Sequence, residues 1–347
     1  MGFKVETGLY SAKLEEIAKT AKYAEETGYD GLHTSETAND PFLPLALAAE
    51  HTERIMLSTA VAIAFPRSPM ITAMMSWDLQ RYSKGRFMLG LGTQVKGHNE
   101  RRFSVPWSAP APRLKEYVET LRAIWDTFQN NTKPSYQGQH YQFTLMNPTF
   151  NPGPIEHPDI PVHLAAVNEG NARVAGEVAD GIKLHAFNTM SYAKEVLMPA
   201  IEEGLKKRGK TRDQFQVWGG GFLATGKDEA AVERAIQEVK RMISFYGSTR
   251  TYQNVLEHHG WQEVGEKLHE MSVQGKWKEM PNLITDEMVN EFAVVATWDN
   301  VVEKMRERYG GLVDCIDFSD YARSVEDQDV IKQLVKDLQK DVAVAPA

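Results

Sequence analysis

The chain has 347 residues, 42% of them hydrophobic, enough for a large core and compatible with a barrel of ~250 residues enlarged by insertions. Lys and Arg number 39 against 47 Asp and Glu, a formal net charge of −8, which argues against a general nucleic-acid binder. A lone cysteine, Cys315, excludes an intrachain disulfide and a Cys-based metal site, and the absence of a ~20-residue apolar run or a signal-peptide pattern leads to the expectation of a cytoplasmic protein without a membrane partner.

Short apolar runs alternate with amphipathic segments along the chain. Lys4–Leu9 reads as a strand, followed by a helix with Leu14, Ile17, Ala21 and Ala24 on one face and Gly28 as its stop. Gly31–Ser35 is a second strand, and Pro41–His51 a helix. Ile55–Ile63 is strand three, Pro69–Tyr82 helix three and Phe87–Leu91 strand four. A polar loop over Gln94–Pro112 precedes a strong helix at Leu114–Phe128. Residues 130–161 read as an insertion with a hairpin near Tyr136–Phe143. Then come Val162–Ala166, Gly181–His185 and Phe215–Ala224 as strands five to seven, each followed by a helix. Residues 248–291 read as a second, partly helical insertion, and Phe292–Val295 is too short to classify. A helix at Val301–Tyr309, strand eight at Val313–Phe318 and a closing helix at Val330–Leu338 complete the count. Eight strand–helix units favour an α/β fold of the (β/α)8 TIM-barrel type over a doubly wound open sheet.

A barrel gathers function on the loops after its strands, here Tyr10, His33–Asp40, Ala60–Arg67, Gly92–His98, Ala166–Gly170, His185–Thr189, Ala224–Gly226 and Ser319–Asp320. Glu36, at the end of strand two, either orients a ligand or moves a proton, or else caps a helix or pairs with an arginine such as Arg67. His33 is a weaker acid/base candidate, since a single strand histidine is often a packing residue. The small residues of strand three, Ala60 to Ile63 among them, either back a flat ring or pack inside the barrel. In GRFMLGLGTQ, Gly90 and Gly92 allow backbone to approach a ligand, and the Thr93 hydroxyl is a good donor. Gly92–His98 lacks the Lys-Ser/Thr of a phosphate-binding P-loop, and GxGxxG also fails. Ala166-Val167-Asn168-Glu169-Gly170 leads into a helix whose first amides suit a phosphate, or forms an ordinary tight turn. Neither an HExxH metal motif nor a G-x-S-x-G elbow is present.

Taken in order, these segments resemble the luciferase-like monooxygenase superfamily. The marks are Gly28-Tyr29-Asp30-Gly31-Leu32 leading to Glu36 and Asp40-Pro41-Phe42, Arg67-Ser68-Pro69, Gly85-Arg86-Phe87 through Gly92, Pro106-Trp107 with Arg113, and Ala175–Gly181. The resemblance implies a barrel that binds coenzyme F420 or FMN, with the deazaflavin branch closer. It places the ring against Ala60, Val61, Ala62 and Ile63, with a non-proline cis peptide near Ala62-Ile63, and the ribityl-phosphate side on Gly92, Thr93, Ala166, Val167, Asn168 and Gly170. Glu36 and, more weakly, His33 are the candidate catalytic residues; the chain departs from the family pattern in carrying Thr37 where some deazaflavin dehydrogenases have a histidine. The expected activity is hydride transfer between coenzyme F420 and a small-molecule substrate. The alternatives are a reduced-FMN monooxygenase served by a flavin reductase, and a non-catalytic flavin-binding barrel. The resemblance also implies a homodimer.

Overall fold

The computed structural model describes residues 2–9, 13–318 and 325–341; Tyr10 and Ser319–Asp320 lie outside them. Eight parallel strands form the centre: β1 (Lys4–Gly8), β2 (Gly31–Thr34), β3 (Met56–Thr59), β4 (Phe87–Gly92), β5 (Val162–Ala166), β6 (Gly181–Leu184), β7 (Gln216–Gly219) and β8 (Cys315–Asp317). Each pairs with the next, and β8 pairs back to β1, so the sheet closes into a (β/α)8 barrel.

Alternation along each strand divides the buried residues into two sets. One set, including Leu32, Leu57, Leu89, Leu164, Ile182, Val217 and Ile316, is at most 1% exposed and packs in the main apolar core. Burying each such side chain contributes roughly 1.5–3 kcal/mol. The other set holds Glu6, His33, His163, Lys183, Trp218 and Cys315, also buried but largely polar. Local signals set the helix ends. Gly28 terminates Leu14–Thr27 at φ 100°, where a side chain would be strained, and the Ser68 hydroxyl accepts the Ile71 N–H to start Pro69–Tyr82.

The structure corrects the expected strands in two places. Strand three does not run unbroken to Ile63. It stops at Thr59, and Ala62–Ile63 resumes pairing with β4 after a cis Ala60–Val61 peptide, two residues earlier than the expected position. Strand seven likewise breaks at Gly219–Gly221. Phe222–Gly226 leaves the barrel and pairs in parallel with Ala293–Thr297, the stretch too short to classify from sequence. The Gln94–Pro112 loop contains a short helix, Lys96–Arg101. The hairpin near Tyr136 is present as Tyr136–Gln137 against Gln142–Phe143, and residues 250–292 carry a series of short helices. No helix of the described residues is long and apolar enough to cross a membrane.

Candidate active site

The break in β3 is fully wired. The Ala60 N–H donates to Thr34 O, the Ala60 carbonyl accepts from Ser35 Oγ at 2.9 Å, and the Val61 carbonyl accepts from the Glu36 N–H. The Ile63 N–H donates to Glu36 Oε2 at 2.7 Å, and Arg67 donates to the same oxygen at 2.7 Å and to Asp40 at 3.0 Å. Glu36 therefore pairs with Arg67, one of the two roles open from sequence, and holds the wall that Ala60 and Val61 present.

The glycines of β4 serve this same break. Thr59 Oγ1 donates to the Gly90 carbonyl (2.6 Å) and accepts from its N–H (2.9 Å). A Cβ on Gly90 would stand 1.9 Å from the Thr59 carbonyl oxygen, and one on Gly92 would stand 2.7 Å from Val61 Cγ2. The space freed by both glycines is filled by the neighbouring strand rather than left for a ligand. Gly92 still borders the cleft beside Val61.

Two cavities meet at the break, over the C-terminal ends of the strands. One, of about 320 Å³, is walled by Ala60, Val61 and Ile63, by Gly92 and Thr93, and by Ala166, Val167 and Asn168, with Glu36 at its edge. Two expected residues are not in this wall: Ala62 is fully buried in the core, and Gly170 stands beside Ala111, while Asn171 takes the place facing the cleft. Asn168 starts helix Glu169–Val178 without capping it, since its side chain donates instead to Thr251 O at 2.9 Å. The first amides of that helix are thus left without a side-chain cap. Glu169 turns its charge to Arg173, at 2.6 Å. Neither Lys nor Arg lines this cavity among the described residues. Asn99 shapes the opposite edge by donating to the carbonyls of Thr93 and Val95.

The second cavity, of about 610 Å³, shares Ser35, Ala60, Val61, Ala165, His185 and Tyr246 with the first. It reaches down to His33, Glu6, Lys183 and Asp317. Lys183 Nζ lies 2.8 and 3.0 Å from the two Glu6 carboxylate oxygens and 4.8 Å from the centre of the Trp218 ring. His33 Nδ1 is 3.5 Å from Glu6, and Nε2 is 3.7 Å from Asp317. Burial works to raise the Glu6 carboxyl, but Lys183 and His33 overcome it and bring it down to about 2. Burial, then Lys183, push the neighbouring His163 down to about 3, so it is neutral. Tyr246 and Tyr252 close the upper side around His185. A separate cavity of about 510 Å³, bordered by Thr225, Arg234 and Trp298, lies behind Phe222 and Leu223 and touches none of the Glu6–His33–Lys183–Asp317 cluster.

The structure brings His33 into a charged cluster that sequence reasoning missed: Glu6, Lys183 and Asp317 were absent from the candidates. The signal was a charged residue in the middle of a short parallel strand, KVETG or GIKL, where both faces are normally apolar.

A closed parallel barrel with a two-part cleft at the C-terminal strand ends, one part bordered by an uncapped helix start, is the layout of a barrel enzyme. Residues 2–315 match the luciferase-like monooxygenase model, and the chain belongs to that family. It is an F420- or flavin-dependent oxidoreductase of the luciferase-like class. An uncharacterized protein of Mycobacterium tuberculosis is 46% identical over 302 residues, covering 87% of this chain and 89% of the relative. The 5,10-methylenetetrahydromethanopterin reductase of Archaeoglobus fulgidus is 29% identical over 302 residues, covering 85% and 86%. Two solved structures share the fold. The coenzyme F420 dependent tetrahydromethanopterin reductase from Methanopyrus kandleri has a TM-score of 0.78 at 23% identity, over 97% of this chain and 98% of that one. The FMN complex of the oxygenating constituent of 3,6-diketocamphane monooxygenase from Pseudomonas putida has a TM-score of 0.66 at 16%, over 99% and 98%.

Proposed function

We propose that this protein is a coenzyme F420-dependent oxidoreductase that moves hydride between the deazaflavin and a small organic substrate. The observation that carries the reading is the continuity of the flat-walled cavity at Ala60–Val61 with the deeper room above Glu6, His33 and Lys183. A relative from Mycobacterium tuberculosis named as a putative coenzyme F420-dependent oxidoreductase, 27% identical over 305 residues, supports the deazaflavin over FMN, since the FMN-bound structure is similar in fold alone.

The residues present fit such a group. Ala60, Val61 and Ile63 would back its ring, Gly92 and Thr93 would border its chain, and the amides that follow Asn168 would hold its phosphate. When bound in its reduced form, the deazaflavin supplies a hydride. The chain's own residues do the rest. Ionised Glu6 cannot donate a proton at neutral pH, so it orients His33, and His33 carries the proton between the cluster and the substrate room. Glu36, held by Ile63 and Arg67, fixes the wall rather than the proton. Tyr246, Tyr252 and Phe222 exclude water from above.

Titration of the purified protein with coenzyme F420 and with FMN tests this. Micromolar or tighter deazaflavin binding is expected. Tight FMN binding without deazaflavin binding, together with oxygen uptake on reduced FMN and substrate, would refute it in favour of the monooxygenase with its reductase partner.

A homodimer is proposed as well. Helix Phe42–His51 is apolar from Phe42 to Ala49, yet Leu43 is 59% exposed; Ile71 and Met74 on the adjoining helix Pro69–Tyr82 are both 49% exposed. A helix hydrophobic all round is normally covered, and a second copy of the same two helices is the occupant proposed.

A further inference from the structure

The geometry points to His185 as the hydrogen-bond donor that holds the reacting oxygen of the substrate, which makes the substrate an organic carbonyl compound or the alcohol it interconverts with. This rests on the hydride-transfer function proposed above. His185 follows the last residue of β6, and its ring borders both cavities at their junction with Ala60 and Val61. A ring lying on that wall and a substrate lying over the ring would meet there.

The tautomer follows from one contact. His185 Nδ1 accepts the Phe187 N–H at 2.9 Å, so that nitrogen carries a lone pair. A neutral imidazole then bears its proton on Nε2. The neighbours keep the ring neutral. Tyr246 packs edge-on at 4.6 Å between centroids, Tyr252 lies at 5.2 Å, and burial pushes the imidazole down to about 4. None of the carboxylates of the lower cluster bonds to it.

A neutral N–H fixed where the two cavities meet suits a developing oxyanion: it donates without giving its proton away. The two ends of the cleft then divide the work. A bound reduced deazaflavin would supply the hydride that adds to the carbonyl carbon, the C=O π pair then moving to oxygen. His185 holds that oxygen, and a proton from His33 completes the alcohol. The reverse reaction returns the proton to His33 and the hydride to the oxidised cofactor.

Two measurements test this on the full-length protein. Nitrogen-15 NMR of imidazole-labelled protein is expected to show His185 neutral, with the proton on Nε2, from pH 5 to pH 8. A ring protonated above pH 6, or carrying its proton on Nδ1, would overturn the assignment without reference to activity. Kinetics with reduced coenzyme F420 and cyclohexanone then compare the wild type with His185→Phe, which keeps the aromatic packing, and His185→Gln, which restores an N–H donor. The Phe variant is expected to lose about 100-fold in kcat/KM, with deazaflavin affinity within about threefold and at least tenfold recovered by Gln. A Phe variant that keeps its kcat/KM, loses deazaflavin binding in proportion, or is not improved upon by Gln refutes the donor role. Wild type that binds the deazaflavin but does not turn over cyclohexanone, while reducing the carbon–carbon double bond of cyclohex-2-enone, refutes the carbonyl class. Wild type that binds no deazaflavin at all refutes the proposed function instead.

Discussion

Replacing Lys183 with Met keeps most of the stem over Trp218 but removes the ammonium from Glu6, leaving a buried carboxylate beside His33. The Glu6 titration, which His33 lowers as well as Lys183, gives the scale of the cost. A carboxyl that titrates at about 2 rather than 4.5 gives the ionised form, at ~1.4 kcal/mol per pH unit, about 3 kcal/mol of folding stability. Loss of one partner from a buried pair costs roughly 3–5 kcal/mol, which agrees. The sign is set by the lowered value: the contribution is complete above pH 4.5 and fades as pH falls towards 2. Lys183→Met is therefore expected to unfold in urea with about 3 kcal/mol less stability at pH 7, but with only about 1 kcal/mol less at pH 3. Tryptophan fluorescence at the two pH values reads the difference, and a second change, Glu6→Gln, should recover most of the loss at pH 7. An equal loss at both pH values, or a double variant no better than the single, would mean that Lys183 acts through packing and that the linkage argument is wrong.

Gly90→Ala should be among the most damaging single-methyl changes available, because its Cβ would fall 1.9 Å from a backbone oxygen. A loss of roughly 3 kcal/mol or more, or insolubility, is expected, and a fully stable variant would show that β3 can move aside. Glu36→Ala frees the Ile63 N–H and Arg67 together. It is expected to weaken deazaflavin binding about tenfold, equivalent to ~1.4 kcal/mol, while leaving the pH profile of kcat unmoved; a shifted profile would return Glu36 to proton transfer. Leu43→Glu with Met74→Glu should convert a dimer to a monomer in analytical ultracentrifugation. A wild type that sediments as a monomer at micromolar concentration would remove the proposed interface.

Periodicity carried the barrel because each strand's outward face is apolar and each helix keeps one apolar stripe; Leu57 and Leu89 pack where a pattern reading puts them. The breaks in strands three and seven were not legible. Thr59-Ala60-Val61-Ala62 has the β-forming character of an unbroken strand, and only contact with Gly90 and the end of β2 shows that the chain turns there. The flat wall and its neighbours were legible as loops after strands, and resemblance narrowed them to a set of which Ala60, Val61, Ile63, Gly92, Thr93 and Ala166–Asn168 border one cleft while Ala62 and Gly170 do not. Glu6 and Lys183 were hidden for a different reason. They are 177 positions apart in sequence, and a mid-strand charge marks each as unusual without naming its partner, so only closure of the barrel reveals the pair. Sequence also assigned Glu36 two roles, and the distance to Arg67 favours one.

Asn168 has so far figured as one residue of a cleft wall. Its side chain amide is spent on Thr251, and its carbonyl oxygen accepts from Asn254 at 3.4 Å, so the start of the anion-facing helix is stitched to the segment that carries Tyr252. The helix start at one end of the cleft and the tyrosine-bearing segment at the other therefore share one residue. By thermodynamic reciprocity, if an anion at the helix start tightens that stitch and favours the closed arrangement by some factor, closure over a substrate strengthens the hold on the anion by the same factor. An enzyme wired in this way would release the anionic ligand most readily when the other room is empty. The order in which the two molecules leave would then be written into a single asparagine.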